Sequence, residues 1–174
     1  CRVAVIHPIE SYWMSWGPRS QTDGVRHEQD RRFSDITEWL LRNHVDFDFV
    51  AESHMHEFAR VDDRTLVVGD MRYEVVVVPS LATIRSTTVD LLSSLMASGG
   101  SVIVAGELPT YRDGVPDTGA AEALAAAVRI PFARTAILEG LDAYRDVRIV
   151  AEDGSAGTNL IYQLRADGDT FWLF

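Results

Sequence analysis

Two runs, EVVVVP at 74–79 and SVIVAGE at 101–107, constrain the fold of this chain more than any other feature. Each is dominated by apolar, mostly β-branched residues with no polar alternation, the pattern of a strand buried on both faces. Such strands belong to parallel sheets covered by helices. Between them lies STTVDLLSSLMASGG (86–100), where Val89, Leu92, Leu95 and Met96 recur at helical spacing. Ser and Thr at its start read as caps, and Gly99–Gly100 reads as a C-terminal stop. Strand, helix and parallel strand at this spacing form a right-handed crossover.

The rest of the chain extends that pattern. VAVI (3–6) is another doubly buried strand, followed by what reads as a long loop to about Arg26. Phe33, Ile36, Trp39 and Leu40 mark one stripe of an amphipathic helix over residues 28–43. DFDFV (46–50) reads as a second strand, TLVVGDMRYE (65–74) as a small hairpin turning at Gly69–Asp70 or a strand with a tight turn there, and AAEALAAAVR (120–129) as an Ala-rich helix. DVRIV (146–150) reads as a strand, and NLIYQLR with DTFWLF as a terminal hairpin. The expected fold is α/β, a flavodoxin-like, doubly wound, mostly parallel sheet with a C-terminal antiparallel strand pair.

Length and composition narrow the function classes. With 174 residues and 47% hydrophobic content, residues 1–174 suit one domain with one substantial core. RVAVIHP starts almost inside a strand and DTFWLF stops within an apolar one, so the chain reads as a fragment of a larger protein. A formal charge of −10 and a pI near 4.8 argue against nucleic acid and anionic lipid as partners. A single cysteine, Cys1, excludes an internal disulfide framework and a thiolate metal cluster. No apolar run approaches the roughly 20 residues of a membrane span, and no signal peptide is recognisable.

Motifs for chemistry are sparse. No G-x-G-x-x-G or Gly-Lys-Ser/Thr stretch is present, so no cofactor is expected. A nucleophile elbow would sit at VIVAGELPT, where Gly106 and Glu107 occupy the turn without a Cys or Ser, leaving Glu107 as the sole catalytic candidate. AESHMHEF holds His54 and His56, an H-x-H pair that on a strand would face one way and could bind a metal; without a third ligand it reads as a polar edge, and no metal is expected. His7 and His27 read as neighbours across the long loop, with a structural hydrogen bond as their role. The run from Asp23 through Arg26, Glu28, Asp30 and Arg31 reads as a solvated helix start.

IHPIESYWMSWGP (6–18) places Tyr12, Trp13 and Trp16 just after the first strand. Such loops build sites in α/β proteins, so these aromatics, with His7, Glu10 and Arg112, are the candidate ligand or interface residues.

The strings HPIESYWMSWGP, DFDFVAES, YEVVVVPSLATIRSTTVDLLSSLMASGGSVIVAGELP and YQLRADGDTFWLF resemble the middle domain of large bacterial multidomain glycoside hydrolases, family 2-like sugar-binding or α-L-rhamnosidase-like. That region is in turn similar to class I glutamine amidotransferase-like domains and to the trimerisation domain of family 42 β-galactosidases. The resemblance covers nearly the whole chain. It implies a noncatalytic accessory domain, with glycosidase carboxylates in a separate barrel. The implied partners are the catalytic barrel and sugar-binding domains of the same parent chain, with a second copy and a carbohydrate as further ones. The compartment, bacterial cytoplasm or secreted, then depends on the parent's N-terminus. A carbohydrate or small-molecule binding module, using the loops at the strand C-termini around Pro8–Pro18, Ser80–Ser86 and Glu107–Arg112, is the alternative.

Overall fold

The structure is a computed structural model describing residues 1–174, apart from the side chain of Ala166. In chain order the elements are β1 (Val3–Ile6), α1 (Ile9–Met14), α2 (Arg19–Arg42), β2 (Phe47–Val50), α3 (Glu52–Phe58), β3 (Ala59–Asp62), β4 (Thr65–Val68) and β5 (Met71–Tyr73). There follow β6 (Val75–Pro79), β7 (Thr83–Ile84), α4 (Ser86–Ala97), β8 (Ser101–Ala105), β9 (Tyr111–Arg112) and β10 (Val115–Pro116). The chain continues through α5 (Gly119–Ala123), β11 (Val128–Ile130), α6 (Arg134–Gly140), a 3₁₀ turn at Asp142–Tyr144, β12 (Leu164–Asp167) and β13 (Thr170–Leu173).

Five strands form one parallel sheet in the order β11-β8-β6-β1-β2. Counted along the chain this is the 2-1-3-4-5 order of flavodoxin-like folds. The two β-branched runs are neighbours, with Val76 opposite Val102 and Val78 opposite Val104. Their side chains alternate between two cores because successive residues of a strand point to opposite faces. Ala4, Ile6, Val76, Val78, Val102 and Val104 pack on one side with Leu92 and Leu95 of α4. Val3, Val5, Val75, Val77 and Ile103 pack on the other with Ile36 and Leu40 of α2 and Ile137 of α6. Each fully buried aliphatic side chain contributes roughly 1.5–3 kcal/mol, which is why unbroken apolar strands end in the middle of the sheet.

Helix α4 ends as its glycines foretell. Gly99 has φ +84, its N–H reaches the carbonyl of Met96, and the Gly100 N–H reaches that of Leu95, a Schellman arrangement. Its start differs from expectation, since none of its own Ser or Thr side chains caps it. The caps come from distant segments: Asp113 Oδ1 accepts the Ser86 N–H at 3.0 Å, and Glu52 Oε2 accepts the Arg85 N–H at 2.7 Å.

Four further readings change. The supposed loop at 7–26 is helical: α1 follows Pro8, and α2 begins after Pro18, well before Glu28, running through Gly24. Its first turns are polar and exposed, so no apolar stripe marked them. The Ala-rich helix stops at Ala123, and Val128–Ile130 pairs with β8 as an edge strand, because sheet pairing outweighs alanine's helix propensity over so short a run. Residues 146–150 form no strand of the sheet, only an isolated bridge from Val150 to Ala156. The run after Pro131 supplies α6, which buries Ile137. The hairpin at Gly69–Asp70 is present as β4–β5, with β3 added on its outer side. The terminal pair β12–β13 is antiparallel and leaves Phe171, Trp172 and Leu173 exposed.

Candidate functional site

The carboxyl ends of the parallel strands open on one edge, and the strand order reverses between β1 and β6, where ligands bind in folds of this kind. A cleft of about 570 Å³ lies there, floored by Phe33, Phe49 and Phe132 and edged by Arg32, Ser80 and Glu107. The turn after β8 has the sharpness of an elbow. Gly106 has φ +98, and a Cβ on it would lie 2.0 Å from Ser80 Oγ, so only glycine fits. Ser80 Oγ accepts the Glu107 N–H at 3.2 Å and donates to the Ala105 carbonyl at 3.2 Å.

What the elbow presents is an exposed carboxylate. Glu107 lies 3.6 Å from Arg32 Nη1, its one ion-pair partner among the described residues. Arg32 also donates to Glu28 at 2.7 Å and lies 5.8 Å over the Phe132 ring. Glu28, Arg32 and Glu107 thus form a chain of ion pairs at the mouth of a cleft with an apolar floor. That arrangement holds a surface ion pair and positions no base against a nucleophile.

His7 and His27 have different partners. The His7 ring meets Phe33 edge-on at 5.3 Å and Phe49 at 5.5 Å, whereas His27 on α2 faces Asp23 at 3.4 Å. His54 and His56 lie on α3 and not on a strand, so residues two apart point to nearly opposite sides of the helix. Among the described residues no group of three or more His, Cys, Asp or Glu is placed to hold a metal ion.

The aromatic cluster is carried by α1 and the turn after it. Trp13 is 59% and Trp16 72% exposed, while Tyr12 is half-buried. Arg26 of α2 lies 4.8 Å over the Trp16 ring and 5.5 Å over that of Tyr12, and it donates to the Tyr12 hydroxyl at 3.1 Å. This guanidinium, read from sequence as part of a solvated run, therefore fixes the aromatic turn. The buried Ser11 hydroxyl accepts the N–H groups of Ala82 and Thr83 at 3.0 and 3.2 Å, tying α1 to the segment after β6.

Beside α1 is a second concavity of about 470 Å³, lined by Glu10, Trp13, Thr83, Arg85, Asp113 and Gly114 among others. Glu10 Oε1 accepts from Arg85 Nε at 2.9 Å and lies 2.9 Å from its Nη2. Behind Arg85, Glu52 is 1% exposed; burial pushes its carboxyl up to about 7, the Arg85 N–H offsetting part of that and the charge of Glu10 adding to it. Asp113 takes φ +52 in the turn before Gly114, whose N–H donates to Thr83 Oγ1 at 3.1 Å.

Of the sequence candidates, Trp13 and Glu10 therefore share one concavity. His7 and Trp16 stand outside it, and Arg112 is committed to an ion pair with Asp117 and lines neither cleft. Arg85 falls within the loop 80–86 that the binding-module alternative includes but was not singled out, and Asp113, one residue beyond the loop 107–112, was missed. The Asp-Gly pair at 113–114 was its one available signal, and it marks a turn without saying what the turn faces.

Among the described residues no helix is long and apolar enough to cross a membrane. No protein-family model and no curated protein matches the chain. Two solved structures are similar to it. The beta-galactosidase from Rahnella sp. R3 is 20% identical with a TM-score of 0.44, over 66% of this chain and 15% of that one. The rhamnosidase from Novosphingobium sp. PP1Y is 18% identical with a TM-score of 0.48, over 72% of this chain and 14% of that one. The matched regions span only a small part of the length of each of those proteins.

Proposed function

We propose that the chain is a noncatalytic accessory domain of a carbohydrate-active glycoside hydrolase, docking a neighbouring domain of its parent protein with the face that carries α1. The observation that supports this reading is Trp16. Its indole is 72% exposed, yet Arg26 lies over the ring and restrains it. A large aromatic surface held in place before contact loses little entropy on burial, the character of an interface anchor. The elbow at Gly106–Glu107 offers no nucleophile, which agrees with a supporting role, and the family resemblance of the sequence motifs supplies the kind of parent.

The test uses the parent enzyme. Trp16→Ala should loosen the domain, read as faster proteolytic release of this region and a lower unfolding temperature of the whole protein. Unchanged proteolysis and unfolding would count against docking through this face. The isolated chain should turn over no aryl glycoside, glutamine or simple ester, and turnover abolished by Glu107→Gln would replace the accessory reading with an enzymatic one.

A further inference from the structure

The concavity beside α1 is lined by Trp13 and not by Trp16, the residue on which the docking reading rests. Trp13 projects from a helix whose neighbouring residue, Ser11, is buried and hydrogen-bonded to the backbone, so the indole is carried on a fixed base. Next to it, Arg85 is held by Glu10 through Nε and Nη2, which leaves Nη1 without a partner among the described residues. Asp113 spends Oδ1 on the Ser86 N–H, and its second oxygen has no partner among the described residues. The pocket thus combines a half-open aromatic face, one oriented donor nitrogen and one acceptor, in a volume of about 470 Å³. Pockets of some 300–1,000 Å³ with few convergent polar groups are the ordinary form of small-molecule sites.

The geometry points to a binding site for a neutral pyranose on Trp13, with Arg85 and Asp113 bridging neighbouring hydroxyls. A pyranose has one face of C–H groups that lies flat on an indole and a rim of hydroxyls that both donate and accept, which matches this set. Charge selects against anionic sugars, because Glu10 and Asp113 outnumber Arg85 and the Arg85 charge is already shared with Glu10. Glu10 acts as a positioning residue, holding Arg85 from the same helix that carries Trp13. The site deepens the accessory-domain reading by giving the domain a share in holding carbohydrate.

The experiment is a titration of the 174-residue chain, followed through its indole N–H resonances, with methyl β-galactopyranoside, methyl α-rhamnopyranoside, methyl glucuronide and N-acetyl-arginine amide. The expected result is a saturable shift of the Trp13 resonance with at least one of the two neutral sugars, with Trp39 and Trp172 unmoved. Trp13→Ala should abolish saturation, and Asp113→Asn, which keeps the oxygen that accepts the Ser86 N–H, should weaken binding about tenfold. Binding of the glucuronide in preference to the neutral sugars, or of the arginine derivative alone, would overturn the proposal, as would silence with all four probes. Silence accompanied by loosening of the parent through Trp16→Ala would sink the sugar site and leave the docking reading standing; a neutral-sugar shift with an unaltered parent would do the reverse.

Discussion

Two concavities border α1, and they differ in the side chains that line them. The larger sits at the reversal of strand order, where fold alone predicts a ligand; its Arg32 is paired with Glu28 and Glu107 above three phenylalanine rings, and its Ser80 hydroxyl is spent on backbone groups. The smaller lies aside from that point and retains an unspent donor, an unspent acceptor and an exposed indole. Position in a fold nominates a site, but the side chains that line a concavity decide what it can recognise.

The sharpest way to break this comparison is through the elbow. Gly106→Val forces a β-branched residue to φ +98 and into Ser80, and should cost about 4 kcal/mol in urea unfolding, the sum of strain and overpacking. A loss below about 1 kcal/mol would mean that the turn relaxes readily and that the larger cleft is less fixed than described.

Next in size is the buried carboxylate behind the smaller pocket. The native state holds the Glu52 proton more tightly than an unfolded chain does, at about 7 against 4.5. The native proton affinity is the higher one, so its stabilising contribution is full below about pH 4.5 and is lost as pH rises through 7. Wild-type stability should therefore fall by up to about 3 kcal/mol across that window from this group. Glu52→Gln keeps an oxygen for the Arg85 N–H and carries no charge; it should flatten the profile and be the more stable protein at about pH 8. An unchanged profile would show that another group sets it.

Asp113→Ala removes the cap on Ser86 and should cost about 1 kcal/mol while leaving the larger cleft intact. Glu107→Gln should be smallest of all, within about 0.5 kcal/mol, since one exposed ion pair to Arg32 is lost. A larger loss there would show the first cleft to be held by its mouth as well as by its floor.

Much of the architecture was legible because it depends on local pattern. Val75–Val78 and Val102–Val104 could satisfy their side chains only inside a covered sheet, and Gly99–Gly100 could end a helix by backbone geometry alone. The start of α2 was hidden because its first turns face solvent and carry no apolar repeat, and β11 was hidden because its strand character comes from pairing with β8. The candidate site was half legible. Trp13 and Glu10 stood out as chemistry beside a strand end, but Arg85, seventy-five residues from Glu10, could be joined to it only by folding.

The sequence by itself determined that the chain folds as a covered parallel sheet, since burial of β-branched runs is a local demand repeated along it. It also determined that the elbow lacks a nucleophile, because residue identity needs no coordinates. Only the tertiary structure decided that α1 is a helix tied down by Ser11, that Arg26 holds Trp16, and that Trp13 shares a concavity with Arg85 and Asp113. These contacts join residues far apart in the chain, and hydrogen bonds and ring stacking depend on distance and direction in space, which no one-dimensional spacing encodes.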